Sequence, residues 1–179
     1  DTVFKRSVFE QVVSKVMPYI SAREGQLKSG KEVSNELGTR VIYWQKVNGF
    51  SIEGGGGSLR IHYSLATRQL SVNNGTVDIS SDPISINLSL EQAIRLVQEK
   101  VFDGAEVKPT NPRIAYVPID NENGQAYYLC YVLDNQGYTF FVDVSEPIIR
   151  KVAPNLISRS FNVNVLGNLY NGTYTDIVN

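Results

Sequence analysis

Few side chains in this sequence are suited to chemistry. There is one His and one Cys among 179 residues, and a zinc site built on His and Cys needs three or four such ligands. The HExxH pattern of zinc peptidases is absent. A Cys–His nucleophile pair would have to be Cys130 with His62. Cys130 sits between Leu129 and Tyr131 in an apolar run, where a thiol reads as buried and inert. His62 falls on the polar side of an alternating stretch; it reads as a solvated surface residue, a pH switch being the functional alternative. The carboxylates Asp120, Glu122, Asp134, Asp143 and Glu146 are scattered over predicted turns. General acid–base work needs two carboxylates a few ångströms apart, and no spacing here enforces that. The run Gly54–Gly57 follows a strand pattern, but no Lys-Ser/Thr follows and no helix opens after it. It therefore lacks the cation and the helix N-terminus that hold phosphate, and reads as a hairpin loop. These residues predict a chain that is not an enzyme and carries neither metal nor cofactor.

The bulk properties agree with a globular domain or two small lobes. The sequence is 42% hydrophobic and 20% charged, with a formal net charge of -1. It has no basic excess of the kind that drives phosphate-backbone binding, so nucleic acid is not an expected partner. No apolar run approaches the length of a membrane-spanning helix. The chain opens on Asp1 with neither an initiator Met nor a signal-peptide pattern, as a mature or trimmed chain would whose export signal or anchor lay upstream.

The elements that must position these groups follow from periodicity. The spacing predicts an amphipathic helix over Thr2–Met17, with Phe4, Val8, Val12 and Phe9, Val13, Val16, Ile20 as one broad apolar stripe and Pro18 ending it. Residues 21–38 read as a polar connection with at most a short helical piece at Lys31–Leu37. From Thr39 the period becomes two. Thr39–Val47 and Phe50–Glu53 flank the tight-turn pair Asn48-Gly49, and Leu59, Ile61 and Tyr63 alternate with polar neighbours. Leu70–Val72 and Thr76–Ile79 extend this meander. A second helix is predicted from Ser89, whose capping-box partner is Gln92, to the stop at Asp103-Gly104. Arg113–Pro118 is a strand. Gln125–Val144 then reads as a hairpin about a Gly137 turn, apolar on both faces, which must be covered or paired. Its aromatics, among ten Tyr and seven Phe in the chain, read first as core and secondarily as interface anchors. Pro147–Val152 is a terminal edge strand, and Ser158–Asn179 a tail with a weak strand at Phe161–Leu166. Runs of linked strands with helices laid on them predict an α+β fold of two antiparallel sheets, each packed against a helix. The expected divisions are residues 1–80, 81–157 and the tail 158–179.

Two phrases resemble known modules. Arg40–Gly75, with Tyr43, Gln45, Gly49, Ile52 and Gly54 at the matching positions, resembles the fungalysin/thermolysin propeptide motif. Ile86–Val152 resembles a PepSY domain, from its opening helix at ISINLSLEQAIRLVQEKV to its closing phrase TFFVDVSEPIIRKV. Together they cover about two thirds of the chain. Ser145-Glu146-Pro147 departs from the Thr-Gly usual in that closing phrase. The resemblance implies cystatin-like and PepSY-like lobes. It also implies a non-catalytic, extracytoplasmic bacterial module, secreted or anchored at the cell surface. Such a pair inhibits or chaperones a secreted metallopeptidase. The alternative is a stand-alone or membrane-anchored ectodomain that regulates a sensor kinase or other surface protein by contact, its N-terminal helix continuing from an anchor. The positions marked for partner contact are Tyr43, Gln45 and Gly49 in the first phrase, and Asp143, Arg150 and Lys151 in the second. Asp143 also reads more plainly, as a turn cap that binds nearby backbone N–H groups.

Overall fold

The apolar stripe of the first helix is matched to a strand face of opposite period. The computed structural model describes residues 6–54, 56–122, 124–135, 137–154, 156–165 and 168–177, the last two stretches by backbone pairing alone. Helix α1 spans Arg6–Val16 and passes into a 3-10 turn at Met17–Tyr19, where Pro18 has no N–H to continue the α pattern. The predicted start of this helix at Thr2 lies outside the described residues. Phe9, fully buried, meets Val41, Tyr43, Leu59 and Ile61, and Val12, Val13, Val16 and Ile20 pack around them. Burying a side chain the size of Phe9 contributes about 1.5–3 kcal/mol.

Helix α1 packs on β2 (Gly38–Val47) and β4 (Ser58–Ser64), and β5 (Gln69–Gly75) pairs with the far side of β4, each strand antiparallel to the one before. Asn48 (φ 51°) and Gly49 (φ 86°) are both left-handed, so the turn into β3 (Phe50–Ile52) is the two-residue hairpin turn its sequence predicts. Two expectations are corrected here. Residues 21–38 are not a helix-bearing connection: Leu27–Asn35 is a strand, β1, antiparallel to β2 with a register shift between Ser29 and Glu32. A Cβ on Gly30 would lie 2.5 Å from the Ile42 carbonyl oxygen, so glycine allows β1 its close approach. Thr76–Ile79 is not a strand. Its backbone is held by side chains, since Gln45 binds both the N–H and the C=O of Val77.

The remaining elements are α2 (Leu90–Val101), β6 (Thr110–Asn121), β7 (Gly124–Asn135), β8 (Tyr138–Asp143) and β9 (Ile149–Pro154). The capping box at α2 is formed as predicted: the Ser89 hydroxyl accepts from the Gln92 N–H, and the Gln92 side chain accepts from the Ser89 N–H. Ala93 and Val97 are its fully buried residues. At its end the left-handed Asp103 and Gly104 let the Gly104 N–H reach back to the Gln98 carbonyl at 2.8 Å. Phe102 then stacks edge-on against Phe140, ring centroids 5.7 Å apart. Five consecutive β7 residues, Leu129–Leu133, are buried, as a hairpin apolar on both faces requires.

The strand order is β5-β4-β2-β3-β6-β7-β8-β9, with β1 paired to β2. The protein is a mixed α+β fold with one nine-stranded sheet. The predicted pair of sheets is corrected by a parallel pairing of β3 with β6, Ser51 opposite Ala115 and Ile52 opposite Tyr116, which no local periodicity announces. The tail is also corrected. Leu156–Val165 (β10) and Asn168–Ile177 (β11) form an antiparallel pair of their own, and Leu166 lies outside the described residues. The chain divides into two compact units, Asp1–Pro83 with Ala115–Tyr128, and Ile84–Ile114 with Leu129–Asn179. Among the described residues no helix is long and apolar enough to cross a membrane.

Candidate functional site

The second unit gathers charged groups at the end of β8. Asp143 closes that strand opposite Cys130, and the chain must reverse within a few residues to enter β9. The Asp143 side chain makes the reversal. One carboxylate oxygen accepts from the N–H groups of Ser145 (2.8 Å) and Glu146 (3.2 Å), and the other from Arg150 Nε (2.9 Å). Arg150 also donates to Glu146 at 3.1 Å. The Asp143 and Arg150 side chains are 8% and 24% exposed, so this is a largely desolvated brace. The segment before α2 is strapped alongside: the Val144 carbonyl accepts from the N–H groups of Asn87 and Leu88, and the Ser145 hydroxyl donates to the Ser85 carbonyl at 2.7 Å.

Beyond this brace, side chains turn to solvent. Ile148 is 41% and Val152 47% exposed, and Lys151, opposite Phe141 in register, is exposed. A groove of about 270 Å³ lies nearby, lined by Leu88, Gln92, Arg95, Leu96, Glu99 and Pro147. β9 ends the strand order, so its outer edge has no strand partner among the described residues.

The residues marked by sequence fall in two places. Asp143 and Arg150 meet, and Lys151 stands beside them on the surface. Tyr43, Gln45 and Gly49 belong to β2 and its turn in the first unit. Tyr43 is 5% exposed and sits in the core, where burial raises its hydroxyl pKa, with Glu10 adding to the rise and Arg6 opposing it. Gln45 is 1% exposed, its amide donating to the Gln26 side chain and to the Val77 carbonyl. Gly49 supplies the turn, with open space where a Cβ would go. The same alternation that turns Tyr43 and Gln45 inward turns Arg40, Ile42, Trp44 and Lys46 outward. That second row is visible in the sequence as a period of two; what it faces depends on the pairing of β2 with β4.

Cys130 is fully buried, and burial, with the Asp143 carboxylate behind it and Arg150 opposing, pushes its thiol up to about 12. The folded protein is therefore expected not to react with Ellman's reagent at pH 8, and to release colour only in denaturant. Rapid reaction of the folded chain would contradict that burial. Asp134 accepts from Thr139 Oγ1 (2.6 Å) and Arg113 Nη1 (2.7 Å). Burial pushes its carboxyl up, but the Thr139 hydroxyl and Arg113 outweigh it and leave the pKa lowered. A lowered carboxylate contributes stability above its unfolded value near 3.9, lost as pH falls through the folded value. Thermal melts of the parent and of Asp134→Asn should differ at pH 7 and converge toward pH 2. A difference that persists unchanged in acid would refute the ionic origin. Among the described residues no group of three His, Cys, Asp or Glu converges to hold a metal.

No family model matches the chain, and no curated protein matches it. Among solved structures it is similar to the Bacillus megaterium YpeB C-terminal domain, with TM-score 0.39 and 16% identity over 83% of this chain and 64% of that one. The chain thus spans less than two thirds of that solved chain's length.

Proposed function

We propose that this chain is a non-catalytic extracytoplasmic module of the PepSY and propeptide kind, which inhibits or helps to fold a secreted metallopeptidase by direct contact. The resemblance of its two phrases motivates the reading, and the edge of β9, which has no strand partner among the described residues, carries it. An extended partner segment can add to such an edge through main-chain hydrogen bonds, with exposed side chains giving specificity. Here those side chains are Val152, Lys151 and Ile148, exposed beside a braced turn. Bracing lowers the ordering cost of binding, because the edge is held in place before a partner arrives.

The test is titration of a thermolysin-type peptidase with the purified chain. A Lys151→Glu/Val152→Glu variant alongside changes only exposed positions. Saturable inhibition that the variant weakens supports the reading. Arg150→Ala would be the wrong probe, because it also dismantles the turn. Failure to inhibit any thermolysin-type peptidase would remove that partner. The contact-dependent ectodomain reading would then be tested by binding to a sensor kinase's extracytoplasmic domain.

A further inference from the structure

The face of the first unit's sheet that α1 leaves open has an unusual charge. Register places Arg40 opposite His62 and Ile42 opposite Arg60 across β2 and β4, and Lys28 opposite Trp44 across β1 and β2. On β5, Ser71 continues the row of His62 and Asn73 that of Arg60, and Lys46 follows Trp44 by two along β2. The residues that register places on this face include four Lys or Arg and no Asp or Glu, although the whole chain carries a formal charge of -1. Lys28, Arg40, Lys46 and Arg60 are all exposed, and none makes an ion pair with a described residue.

Shape and an apolar anchor accompany the charge. A groove of about 480 Å³ runs between Arg40, Arg60, His62, Ser71, Val72 and Asn73. Trp44 is 47% exposed, yet its ring is propped. A Cβ on Gly30 would lie 2.7 Å from its Cδ1 and 2.8 Å from its Nε1, so the indole lies against bare β1 backbone. A propped aromatic among unpaired cations is a pre-organised anchor of the kind that dominates interfaces.

We propose that this open face docks an acidic, extended segment of a partner protein, with carboxylates on Arg40, Arg60, Lys28 and Lys46 and an apolar residue against Trp44. Four cations on a nearly neutral chain are a small set for a phosphate backbone, whose binding scales with the number of phosphates neutralised. A single Trp offers no series of stacking platforms for bases. Carboxylate pairing with one apolar contact needs no more than this face holds. The site shares no residue with the β9 edge and does not depend on the partner being a peptidase.

Trp44 is the only tryptophan, so its emission reports on this face directly. The probe is a synthetic peptide alternating Glu and Leu, titrated at low salt, with the Gln–Leu analogue, oligothymidylate and phosphatidylglycerol vesicles as comparisons. The Glu–Leu peptide should shift or quench Trp44 emission saturably, and the Gln–Leu analogue should not. Raising salt should weaken the binding, and Arg40→Glu/Arg60→Glu should weaken it by about tenfold or more with an unchanged melting temperature. The Lys151→Glu/Val152→Glu variant should bind like the parent, which separates this surface from the β9 edge. Three results would overturn the proposal: no response to the Glu–Leu peptide, equal binding by the folded double-arginine variant, or tighter binding of oligothymidylate or vesicles than of peptide.

Discussion

Gln45→Leu should lower the free energy of unfolding by about 2–4 kcal/mol, because it strips the part-buried Val77 N–H and C=O of their partner and takes one of two donors from Gln26 Oε1. Gln45 is 1% exposed. Its amide nitrogen donates to Gln26 Oε1 at 2.8 Å and to the Val77 carbonyl at 2.7 Å, and its oxygen accepts from the Val77 N–H at 2.9 Å. It serves Val77 as a neighbouring strand would. Gln26 extends the clamp, donating to the Ile79 carbonyl at 3.1 Å and to Ser81 Oγ at 3.0 Å. Leucine fills similar volume but bonds to none of these groups. Gln45→Glu should be no better tolerated, since its second oxygen would face two acceptors, the Val77 carbonyl and Gln26 Oε1. Urea unfolding followed by Trp44 emission measures both variants. A loss below about 1 kcal/mol would mean that the clamp adds no more than an average hydrogen bond.

The second large effect belongs to the turn after β8. Arg150→Ala should cost about 2–4 kcal/mol, less than the value for a fully buried pair because the arginine is partly solvated. It leaves a carboxylate, 8% exposed, without its cation at 2.9 Å. Asp143→Asn should cost less, about 1–2 kcal/mol, since an amide oxygen still accepts from the turn N–H groups. The double variant should cost less than the sum of the two, because each single change already removes the same contact. Denaturant titrations of the four proteins close the cycle. A single-variant cost below about 0.5 kcal/mol for Arg150→Ala would place the brace with ordinary surface ion pairs. The distinction bears on function: if the brace is strong, the β9 edge beside it is a fixed template, and changes at Lys151 and Val152 report on binding alone.

Several features of this protein were legible because their causes lie within a few residues of chain. Ser89 and Gln92 are three apart and cap α2 by themselves. Asn48-Gly49 adopts left-handed angles that few other pairs accept. The alternation in β4 and the apolar run in β7 announce their burial. The type and position of Asp143, at a strand end before a turn, were enough to suggest a cap. Other features depended on partners that the local chain does not contain. β1 shows little alternation and is a strand because β2 is there to pair with it. Residues 76–79 have a strand pattern but lost the ladder to two glutamine side chains. The three-residue β3 pairs locally with β2 through its hairpin, but its other pairing is parallel, with a strand some sixty residues later. Arg150 and Lys151 look alike in sequence, yet one is committed to the turn and the other is exposed. Tertiary structure likewise decided that the cations of β1, β2 and β4 share one face. The period of two tells which way each side chain points, and only register, set by hydrogen bonding between distant strands, tells which side chains become neighbours.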